Sequence, residues 1–266
     1  MEKINNVYCI AGMMADSNCY LIDNSENDSD FDYILVDTGV GGSGDYFSSQ
    51  LSEIGLSMED IDLVVNTHCH YDHVGGNYLF PNAKIAIGTI DGDSLEDPES
   101  PIPICFVPAR EIKRRDVDIR LKEGDRIADF EVLETPGHTA GEVVLIDPKN
   151  RILFSGDACN VNLGLGGASV NAALKGLLKV KAREADFDRN FNGHIGYGGS
   201  NINRSMPESV LDDCLHIMRG IVSGRIVGEE RPARPGMPSR LHVNYGHVHI
   251  GYDPARIIDE GEEPAE

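Results

Sequence analysis

The sequence predicts an α+β fold: two β-sheets packed face to face, with helices on the outside. The first third is a series of short β-branched and aromatic runs separated by turn residues. Two later segments have helical length, and polar residues recur at the ends of the apolar runs. With 266 residues and 41% hydrophobic content, the chain has enough apolar surface for a core of that size.

The first strands fall at residues 7–11, 19–23 and 33–37, with Asn, Asp, Ser and Gly between them. Residues 45–54 form a helix stopped by Gly55. Residues 61–66 are a buried strand that runs directly into Thr67-His68-Cys69-His70-Tyr71-Asp72-His73. Val74-Gly75-Gly76-Asn77 is the small-residue start of a helix packed closely on its neighbours. Strands follow at 84–87, 131–135, 143–146 and 151–154. Helices at 168–184 and 207–221, the second with Pro207 in its first turn, precede a strand pair at 241–250 broken at Gly246. There is no fixed-period repeat. Residues 1–258 read as a single domain, and 259–266 as an acidic tail that should fray.

Composition narrows the function. Lys and Arg number 23 against 44 Asp and Glu, a net charge of −21. Such a surface repels phosphate backbones, so no nucleic acid is expected as a partner. The densest cationic run, Lys113-Arg114-Arg115, reads as a solvated face. No apolar run of about 18 residues predicts a membrane span. The polar opening residues 1–6 do not resemble a secretory signal, and a cytoplasmic protein is expected. Six scattered cysteines without a C-x-x-C pair read as free thiols in a reducing compartment. A homodimer is expected on base rates alone.

His68 and His70, at i and i+2 in an extended segment, point the same way and can reach one ion. Asp72 and His73 follow where a turn into a helix aims them at a neighbouring point. Four metal-ligating side chains within six positions after a buried strand are not a random surface loop. Further ligands sit at later strand ends: His138 in Pro136-Gly137-His138, Asp157 in Gly156-Asp157 and His194 in Gly193-His194. Imidazole and carboxylate suit zinc and similar divalent ions.

In that order, H-x-H-x-D-H, G-H-T, G-D and G-H resemble the signature of the metallo-β-lactamase superfamily. The resemblance runs to about residue 200; residues 206–258 lie outside its motifs. It implies a four-layer αβ/βα sandwich with two metal ions in a groove at one edge of the sheets. His68, His70 and His138 would bind the first ion and Asp72, His73 and His194 the second, with Asp157 bridging both. The implied reaction is hydrolysis by a hydroxide shared between two ions, zinc first, iron or manganese also suiting the set. Asp72 would double as the catalytic residue that orients the nucleophile or shuttles its proton.

Among the branches, the bridging Asp157 argues against β-lactamase activity. The absence of a flavodoxin domain, with His70 in place of Glu, argues against flavodiiron reductases. The set resembles the glyoxalase II-like and lactonase-like branches, which cleave thioesters and lactones. It departs from both: Tyr197 stands three residues after His194, and Asn160 occupies the neighbourhood of the lactonase Tyr. Tyr197 and Asn160 are the substrate-facing candidates for a small molecule. The alternative is a mono-iron persulfide dioxygenase using His68, His138 and Asp157. A binding protein with structural metal ranks last. Gly164-x-Gly166-Gly167 is expected as an acyl-covering lid or a mobile loop. His242, His247 and His249 form a second histidine cluster, expected as packing or solvent-exposed groups, with His247 and His249 on one strand face. No role is assigned to Glu142.

Overall fold

The computed structural model describes residues 1–12, 16–26, 29–41, 44–97, 113, 115–194, 209–231 and 240–265. A first sheet holds seven strands in chain order: β1 (Glu2–Ile4), β2 (Val7–Ile10), β3 (Cys19–Asp23), β4 (Tyr33–Val36), β5 (Leu63–Asn66), β6 (Lys84–Gly88) and β7 (Ile119–Leu121). It is antiparallel from β1 to β4 and parallel from β4 to β7. A second sheet uses β8 (Arg126–Ile127), β9 (Phe130–Glu134), β10 (Val143–Asp147), β11 (Ile152–Gly156) and β13 (Arg189–Asn192), in the order β13-β11-β10-β9-β8. The helices are α1 (Gly44–Ser52), α2 (Tyr71–Val74), α3 (Thr89–Glu96), α4 (Val170–Ala182) and α5 (Val210–Val222).

The near-continuous apolar runs of the central strands exist because these strands are buried on both faces. Ile34, Val36, Leu63 and Val65 meet Val143, Leu145, Ile152 and Phe154 between the two sheets. Their alternates Leu35, Val64 and Ile85 face outward onto Phe47 and Leu51 of α1. On the other side Val144, Ile146 and Leu153 face Leu174 and Leu177 of α4 and Leu215 and Met218 of α5. This is the α+β sandwich, four layers deep, that the sequence predicts. Ser169 starts α4 by accepting the Ala172 amide at 2.9 Å.

A third sheet goes beyond the expected pair. It comprises β12 (Asn162–Gly164), β16 (Val248–Tyr252), β15 (Leu241–Tyr245) and β14 (Glu229–Glu230), in that order. Three strand residues and two strand residues, in β12 and β14, are too short to read by periodicity. The closing hairpin does break at Gly246, which takes a φ of +54°. His247 lies in that turn and not on a strand, bonded to Ser209 and Asp213 at the start of α5.

Three further expectations are corrected. The helix expected from Val74 starts earlier, at Tyr71, and Gly75 and Gly76 follow it as the close contact with residues 38–40. The expected lid at 164–167 is fastened instead: Leu165 donates to the Gly251 carbonyl, and Gly166, Gly167 and Ala168 all donate to that of Gly137. The acidic tail does not fray through residue 265, because Asn171 bonds both the Glu263 carbonyl and the Ala265 amide. Lys113 lies over the Tyr78 ring and Arg115 donates to the Phe80 and Ala83 carbonyls, so the basic run is in part docked; Arg114 lies outside the described residues. Cys9, Cys19, Cys69, Cys159 and Cys214 are buried free thiols, while Cys105 lies outside the described residues. Among the described residues, no helix is long and apolar enough to cross a membrane.

Candidate metal centre

Every ligand predicted from the sequence follows the end of a strand in one of the two packed sheets. His68, His70, Asp72 and His73 follow β5; His138 follows β9; Asp157 follows β11; His194 follows β13. Strand ends on one edge of two packed sheets bring these distant residues together. The seven side chains form three overlapping groups: His68 with His70 and His138, His68 with His73 and Asp157, and Asp72 with His73 and His194. In each group the ligand atoms lie within 4.8 Å of one another. His194 Nε2 stands 3.2 Å from Asp72 Oδ2 and 3.4 Å from Asp157 Oδ2, and His138 Nε2 also lies 3.4 Å from Asp157 Oδ2.

The approach is close enough to demand glycines. A Cβ on Gly193 would stand 2.6 Å from both Asp157 Oδ1 and His73 Cε1. Gly156, at a φ of +50°, turns the chain into Asp157, and a Cβ there would meet Thr67 Oγ1 at 2.5 Å.

The outer nitrogens of three imidazoles are held from behind, which selects the nitrogen that faces the cluster. His73 Nδ1 donates to Asp37 Oδ2 at 2.8 Å. His138 Nδ1 donates to the Gly164 carbonyl at 2.8 Å. His68 Nδ1 lies 3.1 Å from Thr67 Oγ1, whose hydroxyl donates to Asp37 Oδ2 at 2.9 Å. The inward atoms His68 Nε2, His138 Nε2 and Asp72 Oδ1 are buried with no hydrogen-bond partner. Buried polar atoms are rarely left so. Convergent, unsatisfied nitrogen and carboxylate donors fit divalent metal ions.

Electrostatics divide the set. Burial, with His73, His70 and His138 close by, pushes His68 well below the usual imidazole range. Burial also lowers His70, to about 3. Burial opposes charge on His73 and His194 too, but Asp37 for the first and Asp157 for the second outweigh it and raise both. Burial likewise opposes the Asp157 carboxylate, yet His194, His138 and His73 hold it well below the ordinary carboxylate range.

Sequence reasoning missed two supporting carboxylates. Asp37, at the end of β4 with a φ of +59°, also accepts the Thr67 amide at 2.8 Å. Its signal was present, since it is one more carboxylate closing an apolar strand. Asp91 on α3 carried no signal. Its carboxylate accepts the Cys69 amide at 2.8 Å, the Thr139 hydroxyl at 2.7 Å and the Gly141 amide at 2.8 Å. It thereby ties the His68–His70 loop to the His138 loop. Glu142 is also buried here; it accepts the Asp157 amide at 3.1 Å, and burial, with Asp157 and Asp91 near, pushes its carboxyl well above the usual range. Of the substrate candidates, Asn160 is buried with its amide 3.5 Å from Asp157 Oδ1, and Tyr197 lies outside the described residues. His242 and His249 lie together on the third sheet, and no third ligand joins them among the described residues.

Known proteins are similar to this chain. The profile of the Metallo-beta-lactamase superfamily matches residues 14–163, more than half of the chain. A probable metallo-hydrolase of Methanocaldococcus jannaschii is 26% identical over 201 residues, covering 67% of this chain and 87% of its own. A human acyl-coenzyme A thioesterase is 31% identical over 53% of this chain and 57% of its own, and an N-acyl homoserine lactonase of Bacillus is 27% identical over 48% and 56%. The chain thus spans little more than half the length of those two relatives. In fold it is similar to a crystal structure in a di-iron-bound form, with a TM-score of 0.54, 24% identity, and coverage of 74% of this chain and 95% of that one. From the strand-end ligands to the matched profile, the chain belongs to the metallo-beta-lactamase superfamily and is a metal-dependent hydrolase.

Proposed function

We propose that the chain is a dinuclear, cytoplasmic hydrolase of a small ester, thioester or lactone, with zinc as its metal. One observation carries this reading: the ligand groups overlap, with His68 and His73 each belonging to two of them. His68, His70 and His138 would hold one ion and Asp72, His73 and His194 the other. Asp157 groups with His68 and His73, one from each trio, and would bridge. Relatives named as a lactonase and a thioesterase act on an acyl carbonyl, which supports a substrate of that kind.

Two divalent cations bound here would lower the pKa of a water molecule toward neutrality and polarise the acyl carbonyl. The protein keeps the imidazoles aimed through Asp37, Thr67 and the Gly164 carbonyl. Asp72 Oδ2 lies 3.2 Å from His194 Nε2, and beside its place as a ligand Asp72 would orient the attacking water or take its proton. Asn160, turned toward Asp157, steadies the carboxylate between the trios. No serine or cysteine nucleophile is needed.

Elemental analysis of purified protein, followed by a panel of thioesters and lactones, tests the reading. Two equivalents of zinc and turnover abolished by chelation are expected. One equivalent of iron, with oxygen consumed on glutathione persulfide, would replace it with the dioxygenase reading.

A further inference from the structure

The third sheet has one face in the core and one polar face. Leu163, Val243, Val248, Ile250 and Tyr252 are buried on the first. The strand register gathers Asn162, Gly164, His242, Asn244, His249 and Gly251 on the second. Gly164 and Gly251 are directly paired, so the floor there carries no side chain.

Arg240, just before β15, lies across this floor. A Cβ on Gly164 would stand 3.1 Å from its Nη1, and one on Gly166 would stand 2.6 Å from its Nη2. The same Gly164 Cβ would be 4.0 Å from His138 Nδ1. The guanidinium and a ligand imidazole therefore flank one glycine. Beside them His242 and His249 stack, with ring centroids 5.0 Å apart. Arg231 adds positive charge near His249, and Glu229, opposite His242 on the edge strand, is the carboxylate of this face.

Arg240 is half-buried and makes no hydrogen bond or ion pair with any described residue. Arginines elsewhere do find oxygen: Arg151 pairs with Asp188, and Arg256 takes the Gly166 carbonyl and Asp259. In a chain of net charge −21, a guanidinium fork with no partner among the described residues, beside the candidate metal centre, is a place that attracts an anion. Its geometry suits bidentate contact with carboxylate or phosphate oxygens.

We propose that this face, at Arg240, is the subsite for an anionic oxygen group, carboxylate or phosphate, carried by the substrate of the neighbouring metal centre. The inference rests on the hydrolase reading and names the class of acyl compound it prefers: one whose leaving group or acyl chain ends in an anion.

The test uses binding and turnover in parallel on the metal-loaded protein. Binding is measured calorimetrically with three thioethers that cannot be hydrolysed: S-ethyl N-acetylcysteamine, which is neutral, S-ethyl 3-mercaptopropionate, and S-ethyl 4′-phosphopantetheine. Turnover uses the matching S-acetyl thioesters. The wild type should bind at least one anionic thioether about 10- to 100-fold more tightly than the neutral one. Whichever anion gains shows whether carboxylate or phosphate is the natural group. R240Q should erase that preference, raise KM for the matching thioester by a similar factor and leave the neutral thioester within about twofold. R240K should restore part of the preference. Metal content of each variant reports whether the centre is intact. Equal binding of all three thioethers by the wild type, or a preference that survives R240Q with the metals in place, overturns the proposal. A preference that depends on Arg240 without cleavage of any thioester keeps the subsite and overturns the thioester reading instead.

Discussion

Asp37 Oδ2 accepts the Nδ1 proton of His73 at 2.8 Å, and this bond leaves Nε2 of His73 as the nitrogen that faces Asp72, Asp157 and His194. A carboxylate behind a ligand histidine fixes its tautomer and makes it a more basic ligand. Asp37 touches no candidate ion, yet it decides the aim of a residue that two ligand groups share.

D37N should therefore weaken metal binding by roughly 10- to 100-fold. Competition against a chelator of known affinity measures it. The Asn side chain keeps an oxygen for the Thr67 amide, so the fold should survive. Unchanged affinity would mean that His73 is aimed by packing alone.

Metal binding should release protons, and the pKa directions say from where. His73 and His194 are raised, so each holds its proton to a pH above the usual 6.5 while metal-free. His68 is pushed well below that value and His70 to about 3, so both are already neutral at neutral pH and release nothing. Affinity should then climb with pH through the raised range of His73 and His194 and flatten above it. Calorimetric titration in buffers of different ionisation enthalpy counts the protons; none released near pH 7 would contradict the assignment.

Asp91 joins two ligand loops through three hydrogen bonds. D91A would strand the buried amides of Cys69 and Gly141 and should cost about 3 kcal/mol or more of stability. Urea unfolding of the metal-free protein reads this directly. A loss under about 1 kcal/mol would show that the loops hold each other without it.

G193A changes no ligand but places a methyl 2.6 Å from Asp157 Oδ1. Metal content should drop while the far-UV circular dichroism is retained. Full occupancy in this variant would mean that the turn into His194 yields easily.

The seven candidate ligands were legible in the sequence because their chemistry is local. His68 to His73 stand within six positions, and Gly137, Gly156 and Gly193 mark the turns that deliver the others. The central strands were legible as apolar runs for a related reason, since burial on both faces removes polar residues. What stayed hidden depends on contacts distant in the chain. The helix α3 that carries Asp91 is short and weakly amphipathic, with Asp91 and Gly92 among its buried residues, so neither periodicity nor composition marks it. The edge strands β12 and β14 exist only through pairing with the closing hairpin. The place of Arg240 beside Gly164 depends on the same pairing.

Mass spectrometric counting of metal per chain, on protein saturated with zinc and then freed of loose ions, bears most directly on the paired-ion centre. Two ions per chain are predicted, with the number falling on D157A, because that carboxylate groups with His68 and His73 at once. A wild-type value that stops at one, or that D157A leaves at two, would contradict it.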